Sequence, residues 1–265
     1  MTDPYFSVIT CTYNSQKYLE RNISSVNQQL FKDYEHIFID GKSTDKTGKM
    51  IRNYQKYYPE KVKLFTRTPK GISNAFNEGI KKSRGKYLIH LNSDDSFYNN
   101  NVLQKAFDFL SKKESLDWIY GKINVLNEKE KSLGIYPNKY IFKTSSKNRF
   151  GSYILKFINY IPHQAVFIKN EIFEKYGYFD ETLSSKMDPD FWLKIRKETY
   201  WKFCEMTVSN FMLREGAMTS SKDNISINKS NLDIVQNRYM NKLEYFFARI
   251  LNYFINIKDS RLTEK

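Results

Sequence analysis

The sequence contains few cysteines, glycines and prolines, and each shortage excludes a class of protein. Cys11 and Cys204 are the only cysteines among 265 residues, too few for a disulfide framework. We therefore expect a fold held by core packing in a reducing compartment. The 10 glycines and 6 prolines exclude collagen-like and linker-rich chains, and an aromatic content of 16% excludes disorder for most of the sequence.

Long apolar runs are also missing from the sequence. The most apolar stretch, residues 153–168, is interrupted by Lys156, Pro162 and His163, so we expect no membrane-spanning helix. The N-terminus lacks the basic and then apolar regions of a signal peptide. We expect a cytoplasmic protein, either free or peripheral at the inner face of the cell membrane.

Acidic residues are outnumbered by basic ones. The sequence has 43 Lys and Arg against 29 Asp and Glu, a formal net charge of +14. Residues 131–170 contain several Lys and Arg and no Asp or Glu. Such a balance indicates a polyanionic partner, which could be nucleic acid, an anionic membrane surface or a phosphorylated substrate.

The first half of the sequence alternates short apolar runs with helical patterns. The runs predict strands at 6–11, 34–39, 62–65 and 87–91, and the patterns between them predict helices at 18–29, from about 43 to 57, and at 71–83. Strands separated by helices of this length predict an α/β fold with a mostly parallel sheet flanked by helices. From about Leu116 the pattern becomes less regular.

The C-terminal part contains the clearest helical pattern. Apolar residues recur at spacings of three and four over residues 232–257, which predicts an amphipathic helix. The residues of this stripe are Leu232, Val235, Tyr239, Leu243, Phe246, Ile250, Phe254 and Ile257. Two placements are open: the helix packs on the rest of the fold, or it meets an anionic membrane face together with residues 139–161.

Polar residues follow three of the predicted strands, at 10–14, at Asp40 and at 92–95. Ligands of parallel sheets bind beyond the carboxyl ends of the strands, so these residues predict a site. Asp94 and Asp95 would repel each other unless a cation or hydrogen-bond donors compensate. Oxygen ligands suit Mg²⁺ or Mn²⁺ carrying a diphosphate. The alternative is an Asp-Asp turn that begins a helix.

Seven short motifs occur in an order that resembles the family 2 glycosyltransferases. They lie at 7–14, 39–45, 70–72, 91–95, 162–165, 177–180 and 187–194, and the resemblance covers roughly residues 5–220. It implies a GT-A fold, a nucleotide-sugar donor, a divalent metal and inversion at the anomeric carbon. On this basis we expect a catalytic domain over 1–220, with a nucleotide-binding half at 1–115 and an acceptor half at 116–220. A helical extension would occupy 221–265.

The resemblance also implies roles for single residues around the donor nucleotide. Thr10, Thr12 and Tyr13 would line the nucleotide pocket, and Asp40 would bind the base. Lys70 would approach the ribose or the diphosphate as a point charge. For Tyr13, packing in the core is the alternative to stacking on the base.

The acidic pair would hold the metal ion. Asn92 stands where many family members carry the first acid of an Asp-x-Asp signature. This leaves Asp95 as the expected metal ligand, with Asp94 as its partner on the metal or on the ribose. His163 is a further candidate for the metal or the diphosphate, and a structural histidine is the alternative.

An inverting transfer needs one general base. The resemblance places it at Asp188, with Asp190 as the second choice, while a helix N-cap is the alternative role for Asp188. The sequence thus predicts a metal-dependent inverting glycosyltransferase of polysaccharide assembly. Its donor would be a nucleoside-diphosphate sugar, with UDP favoured, and its acceptor a hydroxyl of a glycan or polyprenyl-linked molecule.

Two other functions fit parts of the sequence. A basic nucleic-acid-binding protein would explain the charge, but no nucleic-acid motif is recognisable and that function has no use for acidic strand ends. A nucleotidyltransferase acting on sugar phosphates would share a metal and a nucleotide pocket. It would be expected to begin with a Gly-rich phosphate loop, whereas the first predicted strand ends in Thr-Cys-Thr-Tyr-Asn. We therefore expect no nucleic-acid partner.

Overall fold

The computed structural model describes residues 2–138, 142–214 and 225–250. Its first half contains four strands and three helices close to the predicted positions. They are β1 (Phe6–Thr12), α1 (Leu19–Asn27), β2 (Tyr34–Asp40), α2 (Thr47–Tyr57), β3 (Val62–Thr66), α3 (Ile72–Lys82) and β4 (Tyr87–His90). β1 pairs in parallel with β2 and β4, and β3 pairs in parallel with β2. The predicted parallel α/β sheet is confirmed for this half.

The second half extends the same sheet with mixed pairing. Its elements are β5 (Ser96–Phe97), α4 (Val102–Leu110), β6 (Trp118–Leu126), β7 (Ser132–Tyr136), α5 (Arg149–Ile154), β8 (Val166–Lys169), α6 (Asn170–Tyr176), α7 (Met187–Ile195) and β9 (Trp201–Met212). The strand order is β3-β2-β1-β4-β8-β6-β9-β5, with β7 beside β6. Because β8 is antiparallel to both β4 and β6, the prediction of a mostly parallel sheet describes the first half better than the second.

Both faces of the sheet are covered, which explains why β1, β2 and β4 are buried along almost their whole length. One core contains Phe76 of α3 and Phe191 of α7, together with the stacked rings of Trp118 and Trp201, whose centroids are 4.8 Å apart. The other core contains Phe6 of β1 and residues of α4. Because β1 is parallel to β2 and to β4, the carboxyl ends of these strands meet at one edge of the sheet. The predicted polar residues lie at this edge.

The described part of the C-terminal region contains two helices, whereas one was predicted over 232–257. α8 (Ile225–Tyr239) packs on α7, and a second helix covers residues 242–250. The break has a local cause: Asn241 Oδ1 accepts the backbone N–H of Glu244, and Glu244 Oε2 accepts that of Asn241, each at 2.9 Å. This reciprocal pair is a capping box, which begins a new helix.

Three parts of the predicted organisation lie outside the described residues. They are the boundary between 220 and 221, residues 251–257 of the predicted helix, and residues 139–141 of the predicted membrane-facing segment. Within the described ranges, no helix is long and apolar enough to cross a membrane.

Candidate active site

A cavity of about 260 Å³ opens at the carboxyl ends of β1 and β2, beside the start of α3. Its lining includes Thr12, Tyr13 and Lys70, three of the predicted donor contacts. Gly71 has a φ of +94°, a conformation that residues with a Cβ rarely adopt, and it lets the chain turn from Lys70 into α3. The remaining lining residues are Cys11, Ile39, Gly41, Arg67, Thr68, Pro69, Gly71, Ile72, Asn74 and Ala75.

An aromatic ring and two cations give this cavity its chemistry. Tyr13 is 63% exposed and its ring lies close to Gly41, so it is an open platform and not a core residue. Arg67 lines the cavity together with Lys70. Sequence reasoning missed Arg67, although its position directly after β3 was a usable signal. A planar ring with nearby guanidinium and ammonium groups is suited to a base and a diphosphate.

Thr10 and Asp40 lie behind the cavity, and their hydrogen bonds hold the surrounding chain. Thr10 is fully buried, and its hydroxyl donates to the carbonyl oxygen of Leu91 at 2.9 Å. Asp40 is 4% exposed; its Oδ1 accepts the hydroxyls of Thr12 at 2.9 Å and Ser43 at 2.6 Å, and its Oδ2 accepts the Ser43 backbone N–H. In this structure Thr10 and Asp40 fix the chain around the cavity and do not line it.

The two acids of the loop after β4 have different surroundings. Asp95 is fully buried, with Oδ1 accepting the Met212 backbone N–H and Oδ2 accepting the Asn92 amide, each at 3.1 Å. Burial and the neighbouring Asp94 raise the pKa of Asp95. Asp94 keeps 16% of its side chain exposed and pairs with Arg214 at 2.6 Å. Of the two acids expected at the metal, Asp94 is the more accessible from solvent.

These residues fit a metal ion only as partial ligands. In the part of the chain that the structure describes, no three His, Cys, Asp or Glu side chains are grouped to hold one. Asp94 offers a single accessible carboxylate. Mg²⁺ is commonly bound by one or two carboxylates together with substrate phosphates, so Asp94 fits an ion that arrives with a diphosphate.

His163 lies between the acidic loop and α7, in a short 3-10 helix at His163–Ala165. Its Nε2 is 3.2 Å from the Asn92 amide nitrogen, and its Nδ1 is 3.8 Å from Asp188 Oδ2. Because the amide nitrogen can only donate, Nε2 accepts and the ring proton of the neutral form resides on Nδ1, facing Asp188. Burial lowers the pKa of His163, against the opposing effect of Asp188 and Asp94.

The structure separates the two candidate bases of α7. The Asp190 side chain is 8% exposed, and its Oδ1 accepts from Arg238 of α8 at 3.1 Å. Arg238 also bonds Asp180 at 2.7 Å, so this guanidinium joins two acids. Asp188 is 17% exposed and faces His163. The N-cap of α7 is Lys186, so Asp188 does not fill that position.

Comparisons with known proteins agree with this arrangement. Residues 7–177 match the family model described as glycosyl transferase family 2. An uncharacterized glycosyltransferase of Methanocaldococcus jannaschii is 28% identical over 205 residues, which cover 76% of this chain and 67% of that protein.

Two solved glycosyltransferases have a similar fold. The S. aureus TarS fragment in complex with UDP-GlcNAc superposes with a TM-score of 0.65 at 21% identity, over 89% of this chain and 66% of that one. The mannosyltransferase PcManGT of Pyrobaculum calidifontis, in complex with GDP-Man and Mn²⁺, gives 0.55 at 14% identity, over 94% and 65%. These likenesses show the GT-A fold, and this chain spans about two thirds of each solved chain.

Proposed function

Since the chain belongs to glycosyl transferase family 2, we propose that it moves a sugar from a UDP-sugar to a hydroxyl group, with inversion at the anomeric carbon. The acceptor would be a glycan or a polyprenyl-linked molecule in polysaccharide assembly. The observation that carries the proposal is the link from the acidic loop through His163 to Asp188, on the same sheet edge as the cavity.

Donor binding follows from the cavity. Tyr13 offers its exposed ring to the uracil, and Lys70 and Arg67 supply positive charge for the two phosphates. The TarS fragment, which shares the fold, was solved with UDP-GlcNAc, and this supports a uridine donor. Thr10 and Asp40 act indirectly by fixing the loops that carry these contacts.

Transfer needs a base and a leaving group that separates readily. Asp188 accepts the proton of the acceptor hydroxyl while that oxygen forms a bond to the anomeric carbon. The bond from this carbon to the diphosphate oxygen breaks at the same time, and its electron pair leaves with the nucleoside diphosphate. The His163 Nδ1 lies 3.8 Å from Asp188 Oδ2 and faces the carboxylate that would take the acceptor proton.

A divalent ion, Mg²⁺ or Mn²⁺, would be held by Asp94 together with the donor diphosphate. Such an ion neutralises the charge that develops on the leaving diphosphate. The PcManGT complex, which contains Mn²⁺ with GDP-Man, supports a metal in this fold. Asp95 then serves as a positioning residue that fixes the loop carrying Asp94.

Thermal unfolding in the presence of nucleotides tests the proposal. UDP, GDP, CMP and dTDP would each be added with Mn²⁺, Mg²⁺ or chelator. At a concentration of about 100 times Kd, binding stabilises the native state by about 2.7 kcal/mol. For a domain of this size that raises Tm by about 5–10 °C.

We expect UDP with metal to give the largest rise in Tm. Tyr13→Ala should reduce this rise, whereas Tyr57→Ala, which removes a comparably exposed ring from α2, should leave it unchanged. If none of the four nucleotides stabilises the folded protein, the cavity is not a donor site and the proposal is wrong. If UDP raises Tm equally with chelator and with metal, the metal is not part of the donor site.

A further inference from the structure

The helix at 242–250 presents its apolar face to solvent. Leu243 is 65% exposed, Phe246 59%, Phe247 54% and Ile250 39%. These residues are spaced i, i+3, i+4 and i+7, so they form one continuous stripe along the helix. In a helix that packs on a protein core, this is the face that is buried.

The opposite face of the helix holds it in this orientation. Both carboxylate oxygens of Glu244 accept from Lys156 Nζ, at 2.7 and 2.8 Å, and this pair is nearly buried. The hydroxyl of Tyr245 donates to Asp233 of α8 at 3.2 Å, and Ala248 is fully buried. Turning the apolar stripe inward would break this ion pair. The outward stripe is therefore specified by the fold.

Positive charge flanks the stripe. Lys242 and Arg249 are exposed and lie on the same side of the helix, whereas the acid within it, Glu244, is paired with Lys156. Lys156 follows α5, where Phe150 is 65% exposed. Residues 131–170 contain no Asp or Glu, so the segment that contacts this helix through Lys156 is basic.

We propose that this stripe, Leu243, Phe246, Phe247 and Ile250, docks on an anionic lipid bilayer. An amphipathic helix with large apolar residues on one face and basic residues at its flank is the chemistry that lies in a membrane interface. Anionic lipids attract the lysine and arginine, and the acyl region takes up the rings.

A second copy of the chain fits this surface less well. In an antiparallel symmetric dimer through the stripe, the flank with Lys242 and Arg249 of one copy would approach the same flank of the other, and like charges oppose that contact. The sequence left two placements open for the predicted helix, and each applies to one part of it. α8 packs on the fold through Val235, whereas Phe246 and its neighbours in the second helix face outward.

Sedimentation of the full-length protein with vesicles tests the docking surface. Vesicles would contain phosphatidylcholine alone or with about one third phosphatidylglycerol. We expect binding to the anionic vesicles that weakens with salt. The double variant Phe246→Gln and Phe247→Gln should bind at least tenfold less, because two rings leave the apolar region.

A control removes similar exposed apolar surface elsewhere: Leu30→Gln with Tyr57→Gln, at positions 60% and 78% exposed, should bind like the wild type. Replacing Lys242 and Arg249 by Gln should weaken binding about 25-fold, or about fivefold for each charge. Their control, Arg52→Gln with Lys56→Gln, removes the same charge from the exposed face of α2.

Several results would overturn the inference. Wild-type protein that ignores anionic vesicles would do so, as would a Phe246 and Phe247 variant that binds normally. If light scattering shows a wild-type dimer, and this variant is a monomer, the surface binds a second copy of the chain instead of lipid. Stabilisation by UDP is measured without lipid, so failure of the docking surface and failure of the proposed function give different results.

Discussion

The same substitution at two positions of α7 provides a direct test of the proposed base. Asp188 and Asp190 lie two residues apart on one helix, and in each variant an amide of the same shape replaces the carboxylate. The structure predicts opposite outcomes because Asp188 faces His163, whereas Asp190 is held by Arg238.

Asp188→Asn should act on the rate of transfer. Removing a general base costs about 10²- to 10⁴-fold in rate, which corresponds to about 2.7–5.5 kcal/mol in activation free energy. Asp188 does not line the cavity, so donor affinity should be unchanged. The side chain is 17% exposed and makes no short ion pair with an Arg or Lys in the described chain, so little stability should be lost.

Asp190→Asn should act on stability. Its carboxylate accepts from Arg238 at 3.1 Å, but Arg238 keeps Asp180 at 2.7 Å and is 39% exposed. Because a partner remains and solvent screens the guanidinium, we expect a loss of about 1 kcal/mol and not the full cost of a broken buried pair. That lowers Tm by about 2–4 °C.

The assay compares both variants with the wild type at saturating donor. Release of nucleoside diphosphate measures turnover, and thermal unfolding measures stability, in the same buffer. The reasoning is refuted if Asp188→Asn keeps more than about a tenth of the wild-type rate while folded Asp190→Asn loses more than about 100-fold. In that case the base is Asp190, and Arg238 must release it during turnover.

Three further predictions concern the cavity, the buried histidines and the acidic loop. Lys70→Ala should weaken UDP binding about tenfold in calorimetry without lowering the stability of the free protein, because a cation facing the diphosphate is lost. Burial lowers the pKa of His36 and of His90 to about 3, below the ordinary 6.5, so stability from these groups is complete above pH 6.5 and is lost as pH falls. At pH 5 each should cost about 2 kcal/mol in chemical denaturation, and His90→Phe should remove its share of the difference between pH 7 and pH 5. Asp94→Asn should abolish the metal dependence of UDP stabilisation. Asp95→Asn should instead lower the stability of the free protein by about 1–3 kcal/mol, since an amide NH₂ cannot accept the bonds of a carboxylate. If the two variants behave alike, the assignment of Asp94 to the metal and Asp95 to the loop is wrong.

The first half of the fold could be predicted because its strands are buried on both faces. β1 and β2 are then mostly apolar in sequence, although Ser7, Glu35 and His36 interrupt them, and each observed strand ends one residue beyond the prediction. β6 is also largely buried, but Gly121 and Lys122 interrupt its apolar sequence. It pairs with β9 across about 80 residues, and β9 mixes buried, intermediate and exposed positions, so its pattern carries less information about its length.

The prediction of a single C-terminal helix was wrong for a different reason. The spacing of apolar residues continues through Met240 and Asn241, so periodicity alone joins two helices into one. The signal of the break was Asn241 followed three residues later by Glu244, the sequence form of a capping box. Periodicity also does not say which environment receives the apolar face: Val235 is buried against the fold, while Phe246 is exposed.

The acidic residues show why sequence could locate the site but not assign every role within it. Asp94 with Asp95, and Asp188 with Asp190, are pairs of close carboxylates, and in each pair a distant part of the chain helps to bury one member. The Met212 backbone N–H, 117 residues away, donates to Asp95 Oδ1, and Arg238 binds Asp190 from α8. The less buried members are Asp94 and Asp188. His163 contacts Asn92, in the loop that carries Asp94, and also faces Asp188, so packing partners that no local motif contains determine which acid of each pair is accessible.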